Sequence, residues 1–214
     1  MRLTFNDMHE TMPWDEIDAV VFDVGNVLLD FSPKKVIADI LPEHPELHQT
    51  LVNKIIRTPY WLMLDHGTIS YDEAVEAMAG RDVALRPLIR QVMDEWIDLK
   101  NPIAEGVAAL RKCKAMGKKL YVLSNYHDSA FDHVWNKYDF FRLFDGLVVS
   151  ARVKMLKPDQ NIYRHLTEKF GLIPERVLFI DDSPANIESA LETGWQGVCY
   201  NQEGVLRKFF ELDP

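Results

Sequence analysis

The chain has 214 residues, 47% hydrophobic and 27% charged, the balance of a globular protein with room for one large core or a core and a smaller companion. Its 33 acidic residues against 24 basic ones give a net charge of -9, which excludes sequence-independent nucleic-acid binding, a task that needs a basic surface. An anionic substrate therefore needs a locally positive site, built from a metal, a lysine or helix N-termini.

Residues 1–17 lack the basic start and apolar centre of a signal peptide and read as a leader, with Met12, Pro13 and Trp14 packing on the core. Ala19 to Phe22 is an all-apolar run that delivers Asp23, the pattern of a strand buried on both faces of a parallel sheet. From Ser32 to about Lys100 the spacing turns helical. Val36, Ile37 and Ile40 follow Ser32-Pro33, and Leu47, Leu51 and Ile55 mark a second helix. Trp61, Leu62 and Leu64 follow Thr58-Pro59, and Asp65 to Thr68 is a turn. A capping box at Ser70 and Glu73 leads into Ala74, Val75 and Met78, and a last helix runs from Leu85 to Leu99. The stretch is predicted to be a compact all-helical insert of about four helices.

After Asn101-Pro102, strands and helices alternate. A helix through Ile103, Val107 and Leu110 ends at Gly117, and Lys118 to Leu123 is a strand. Asp128 to Tyr138 is helical, Gly146 to Val149 is a strand, and a helix with Ile162, Leu166 and Phe170 stops at Gly171. Val177 to Ile180 is a buried strand, Ser183-Pro184 caps a helix closed by Gly194, and Gly197 to Tyr200 is the last strand. This alternation predicts right-handed crossover units and an α/β fold with a parallel sheet. No run approaches the length of a membrane-spanning helix. Cys113 and Cys199 have neither metal-ligand spacing nor a disulfide pattern, so a reducing cytoplasm is expected.

In open parallel sheets, ligands sit outside the carboxyl ends of the strands. Asp23, Ser124-Asn125 and Asp181-Asp182 stand at predicted strand ends, and Lys157 stands in a loop before a helix. Each alone has an ordinary structural use, as a cap, a turn residue or an exposed lysine. Four separate segments meeting at one sheet edge point to chemistry instead. Asp23 and Asp182 can hold a hard divalent cation such as Mg²⁺, which takes few protein oxygens, several waters and a substrate phosphate. A carboxylate that attacks phosphorus gives an aspartyl-phosphate. Ser124 can bind phosphate oxygens, and Lys157 can neutralise charge on the transferring group.

These segments resemble the haloacid dehalogenase-like superfamily of hydrolases. Its four motifs stand in order as Phe22-Asp23-Val24-Gly25-Asn26-Val27, Leu123-Ser124-Asn125, Lys157-Pro158 and Phe179-Ile180-Asp181-Asp182-Ser183-Pro184-Ala185-Asn186, within a match from about Ala19 to Tyr200. The resemblance implies Asp23 as nucleophile, Ser124 with Asn125 as phosphate-binding residues, and Lys157 as the charge-neutralising lysine. Asp23, Asp182 and the main-chain carbonyl of Gly25 are then the Mg²⁺ ligands, with Asp181 and Asn186 behind them. It further implies a Rossmann-like catalytic core of residues 1–31 and 101–214, with helices on both faces of the sheet. Residues 32–100 become a mobile helical cap, and Asn26 to Phe31 a flap. The expected partner is a small phosphorylated substrate, with no nucleic acid, membrane or obligate protein partner.

One position departs from the pattern. Most phosphatases of the family carry a second aspartate two residues after the nucleophile, where this chain has Gly25. Loss of such an acid–base group costs on the order of 10²–10⁴ in rate. Three readings compete. A subgroup of sugar-phosphate phosphatases shares the Asp-x-Gly-Asn motif, and an anomeric phosphate needs less help from an acid. A 2-haloacid dehalogenase also lacks the second aspartate but uses no metal, which leaves Asp181-Asp182 unexplained. A catalytically weak binder of a phosphometabolite or partner needs no nucleophile at all. His127 could replace the missing acid, although a loop histidine is more often simply solvated. Trp61, Asp65 and His66 of the insert could contact substrate or, as Trp61 is expected to, serve as its core, with Asp65 and His66 in its turn; the basic group from Arg111 to Lys119 is expected on a solvated helix end.

Overall fold

The computed structural model describes residues 13–212; residues 1–12, most of the expected leader, lie outside them. Five strands form one parallel sheet in the order β3-β2-β1-β4-β5. They are β1 (Ala19–Phe22), β2 (Lys119–Ser124), β3 (Gly146–Val149), β4 (Val177–Asp181) and β5 (Gln196–Cys199). Phe22 lies level with Val122 and with Ile180, so Asp23, Ser124 and Asp181 emerge at the same edge. The strand order turns back at β1, and Asp23 leaves the sheet at that switch point.

Between β1 and the rest of the sheet lie α1 (Pro33–Ile40), α2 (His48–Ile55), α3 (Pro59–His66), α4 (Tyr71–Ala79) and α5 (Arg86–Glu95). The insert therefore has five helices where about four were expected, and the restart at Thr58-Pro59 is one of them. Pro59 has no N–H for a continuing helix, and Thr58 before it is extended at φ -124° and ψ 155°, so α2 and α3 are separate. The capping box at Ser70 forms as expected. Ile37, Leu51, Val75 and Ile89 of the insert join the same apolar cluster as Val20 and Phe22 of β1.

Side chains of a strand alternate between faces, and β1 is apolar throughout because both of its faces are covered. Val20 and Phe22 share one cluster with Val107 and Leu110 of α6 (Ala104–Ala115) and Ala130 and Phe131 of α7 (Asp128–Lys137); the short α8 (Ser150–Val153) follows β3. Ala19 and Val21 share the other cluster with Ile162 and Leu166 of α9 (Gln160–Phe170) and Ile187 and Ala190 of α10 (Pro184–Glu192). A final helix, α11 (Val205–Phe210), packs on α6, and Trp14 sits 5.7 Å and 5.3 Å from the rings of Phe209 and Phe210. Neither α8 nor α11 was predicted. The expected Ser183 hydroxyl cap is absent; its N–H instead donates to Asp181 Oδ1 at 2.8 Å. Among the described residues no helix is long and apolar enough to cross a membrane.

Candidate active site

Asp23 follows β1 with its N–H donated to the Ile180 carbonyl, which continues the sheet by one residue and fixes the carboxylate at the edge. Ser124, the last residue of β2, donates its hydroxyl to Asp23 Oδ1 at 2.7 Å. Lys157 Nζ lies 2.9 Å from the same oxygen and 2.6 Å from Asp181 Oδ2. Asp181 is fully buried, and its other oxygen accepts from Ser183 N and from Asn186 Nδ2 at 2.9 Å. Asp181 thus orients the lysine, and Asn186 orients Asp181. Asn125 brackets the lysine's own backbone: Nδ2 donates to Lys157 O at 2.9 Å, and Oδ1 accepts from Lys157 N at 2.8 Å. All eight residues singled out from the sequence therefore come to one place, with Gly25 and Asp182 on the wall of the same cavity.

Asn26 holds the segment after the nucleophile. It adopts a left-handed conformation at φ 54°, which asparagine tolerates better than most residues. Its Oδ1 accepts from Phe31 N at 3.0 Å, closing the turn, and its Nδ2 donates to Asp182 Oδ2 at 3.0 Å. Behind the turn, α6 approaches so closely that a Cβ on Gly106 would lie 1.8 Å from Val27 O. At Gly25 a Cβ would meet nothing within 4 Å, so the absence of a side chain there is not forced by space.

Carboxylate oxygens of Asp23, Asp181 and Asp182 lie within 4.8 Å of one another, against a single ammonium in contact. Burial, the largest influence, holds the Asp23 carboxyl above its ordinary range, opposed by Lys157 and reinforced by Asp181. Burial likewise raises Asp182, with Asn26 opposing it. Burial works against the Lys157 ammonium, but Asp181 and Asp23 outweigh it and hold that group above its usual value. A surplus of hard oxygen donors around a buried edge is the chemistry that suits a small divalent cation.

The cavity above this edge measures about 180 Å³. Its far wall comes from Trp61, Asp65 and His127, which the sequence offered as possible contacts, with Phe31 of the expected flap and with Trp96, Lys100 and Tyr126, which it did not single out. Trp61 is half-buried and stacks on Phe31 at 5.9 Å, so it is a wall residue as well as a packing one. Asp65 belongs to α3, not to a turn, and is buried. His127 is 3% exposed, so the expectation of a solvated loop histidine fails. Its Nδ1 lies 3.3 Å from Asp65 Oδ1, and the Trp61 and Trp96 rings sit 5.6 Å and 5.3 Å away. His66 is absent from the wall. Lys100 is 2% exposed, with Nζ 3.8 Å from the Phe31 ring centroid.

A family model described as haloacid dehalogenase-like hydrolase matches residues 17–194. The chain belongs to this family. Among curated relatives, the GMP/IMP nucleotidase YrfG of Escherichia coli is 23% identical over 223 residues, covering 97% of this chain and 94% of that one. The phosphorylated carbohydrates phosphatase of Thermotoga maritima is 24% identical over 185 residues, 83% of this chain and 82% of its own length. Drimenol cyclase drtB of Aspergillus calidoustus is 23% identical over 198 residues, but the match spans 35% of that longer protein. Two solved structures share the fold. The enzyme bt-2542 of Bacteroides thetaiotaomicron, in complex with magnesium and inorganic phosphate, gives a TM-score of 0.68 at 23% identity, covering 86% of this chain and 93% of its own. The L-2-haloacid dehalogenase of Xanthobacter autotrophicus gives 0.64 at 19%, covering 86% and 77%.

Proposed function

We propose that this haloacid dehalogenase-like hydrolase is a Mg²⁺-dependent phosphatase of a small phosphorylated metabolite, a sugar phosphate being the first class to test. The observation that carries the reading is the group of three carboxylates within 4.8 Å of one another, two of them sharing Lys157. A dehalogenase attacking carbon has no use for that surplus of negative charge, whereas a divalent cation that brings in a phosphate dianion does. Asp23, Asp182 and the Gly25 carbonyl would hold Mg²⁺. When bound, the ion supplies positive charge that offsets repulsion between Asp23 and the phosphate.

Asp23 attacks phosphorus and the bond to the leaving oxygen breaks, which leaves an aspartyl-phosphate. Ser124 and the Asn125 segment hold phosphate oxygens, and Lys157, kept in place by Asp181, neutralises charge on the transferring group. Water then attacks the aspartyl-phosphate and frees the carboxylate. Residues 32–100 act as a cap over the core of 1–31 and 101–214, and their wall residues select the substrate. The test is a panel of sugar phosphates, nucleotides and other phosphate esters, with a 2-haloacid, assayed with Mg²⁺ and with excess chelator. Mg²⁺-dependent phosphate release that disappears in Asp23→Asn is expected. Halide release unaffected by chelator would replace this reading with the dehalogenase.

A further inference from the structure

The cavity has two chemically distinct ends. Asp23, Ser124, Asn125 and Lys157 make one; Trp61, Asp65, Trp96, Lys100, Tyr126 and His127 make the other. In-line displacement puts the leaving oxygen on the side of phosphorus opposite the attacking Asp23 oxygen. The leaving group therefore enters the second end. The residue two after the nucleophile is Gly25, so no proton donor comes from that position.

Asp65 and His127 are both buried, on separate elements 62 residues apart, and both line this end. Asp65 Oδ1 stands by Nδ1, and Nε2 has no protein partner among the described residues. Two further bonds fix the pair. Ser150 Oγ donates to the Asp65 carbonyl at 2.5 Å and accepts from Tyr126 N at 2.9 Å, which ties α3 to the segment that carries His127. Trp61 and Trp96 pack on the imidazole. A histidine with one nitrogen fixed by a carboxylate presents the other for proton transfer. If the wall were packing alone, a buried Asp–His pair would be an unneeded desolvation cost.

We infer that His127, oriented by Asp65, is the acid–base residue of this site in place of the aspartate that Gly25 lacks. The inference rests on the phosphatase reading. As the bond from phosphorus to the leaving oxygen breaks, its electron pair goes to that oxygen, and the Nε2 proton of the imidazolium follows. The products are an alcohol, neutral His127 and the aspartyl-phosphate. Water then attacks phosphorus, its proton passes to Nε2, and the bond to Asp23 breaks. Phosphate leaves, and the carboxylate and imidazolium are restored. Asp65 acts through His127 and is a positioning residue.

The experiment is a series of aryl and alkyl phosphates of graded leaving-group pKa, at saturating Mg²⁺, with wild type, His127→Gln, Asp65→Asn and Lys100→Met. For His127→Gln, alkyl phosphates should lose about 10²–10⁴-fold in rate while the initial burst from p-nitrophenyl phosphate falls far less. Its steady state should slow, because hydrolysis of the aspartyl-phosphate has lost its base. Asp65→Asn should steepen the leaving-group dependence in the same direction but less, a change that a merely structural carboxylate would not produce. If His127→Gln does not fold, the Asp65→Asn slope decides. An equal loss on every ester, no loss at all, or steepening in Lys100→Met alone would overturn the assignment while leaving the phosphatase reading intact. A wild type that releases no phosphate from any ester would overturn both.

Discussion

Lys100 is a buried ammonium set over two aromatic rings, 3.8 Å from Phe31 and 5.0 Å from Trp96, with no salt-bridge partner among the described residues. Burial pulls its pKa from the usual 10.5 down to about 7, and Asp30, Asp23 and Asp65 only partly offset this. At about 1.36 kcal/mol per pKa unit, the charged form costs the fold on the order of 5 kcal/mol. The sign follows from proton counting. Between about pH 7 and 10.5 the unfolded chain binds a proton that the folded one has lost, so this group makes stability rise with pH across that window. Lys100→Met keeps the unbranched stem and removes the charge. Allowing roughly 1–2 kcal/mol for the lost cation–π attraction, the variant should be more stable than wild type by about 3 kcal/mol at acidic pH. The difference should fall by about 4 kcal/mol on going to pH 10, where the unfolded lysine is also losing its proton, so that wild type becomes the more stable by about 1 kcal/mol. Urea unfolding of both proteins across that range measures the gap directly, and other titrating groups cancel in the difference. A gap that does not change with pH, or a wild type that is the more stable at acidic pH, would refute the reasoning.

Asp182→Ala should weaken Mg²⁺ binding at least about tenfold by calorimetric titration, while the metal-free fold loses little because a carboxylate leaves a crowded acidic edge. Unchanged affinity would remove Asp182 from the ligand set. Glu105 is buried and accepts from Gly204 N at 2.9 Å, Arg207 N at 2.6 Å and Tyr200 Oη at 3.1 Å, so it anchors the start of α11 to α6. Glu105→Ala should cost about 3 kcal/mol in chemical denaturation, and a loss under about 1 kcal/mol would contradict that role. Gly106→Ala places a methyl 1.8 Å from Val27 O and should cost at least about 2 kcal/mol, since backbone on both sides must move. Retained stability would show that α6 can withdraw from the turn after Asp23.

The sheet was legible because its signal is local. Four apolar residues in a row with a polar residue after them can be read without knowing what covers them, and β1, β3 and β4 came out within a residue of their observed bounds. Parity and register then carry Asp23, Ser124 and Asp181 to one edge with no further information. Where neighbours decide, the pattern weakens. Helix α11 is six residues long and owes its start to Glu105, about a hundred residues earlier in the chain. Helix α8 has four residues, too few for a periodic signal. Ser183 shows the same limit at the scale of one hydroxyl. Ser-Pro at a helix start suggests a side-chain cap, but the buried carboxylate of Asp181 takes the Ser183 N–H.

The two ends of the cavity differ in the same way. The phosphate end is built from strand ends, so its residues are named by motif. The other end is built from α3, the segment after α5, the turn at Phe31 and the loop after β2. Its composition depends on how the insert docks on the sheet. Trp61 illustrates why spacing could not find it: an aromatic at helical spacing gives the same signal whether its face meets another helix or a cavity. His127 could be suspected from its place three residues after Ser124, but its burial follows from Asp65 on a distant helix. What marks this wall in the structure is polar chemistry left without ordinary partners. Among the described residues, the Tyr126 hydroxyl is buried with no hydrogen bond, Lys100 has rings where a carboxylate would be expected, and His127 has one nitrogen without a partner. A wall evolved only for packing would carry leucine or phenylalanine at such positions at lower cost. These three polar groups, left without partners among the described residues and facing the same space as Asp23, are groups that a bound molecule can satisfy.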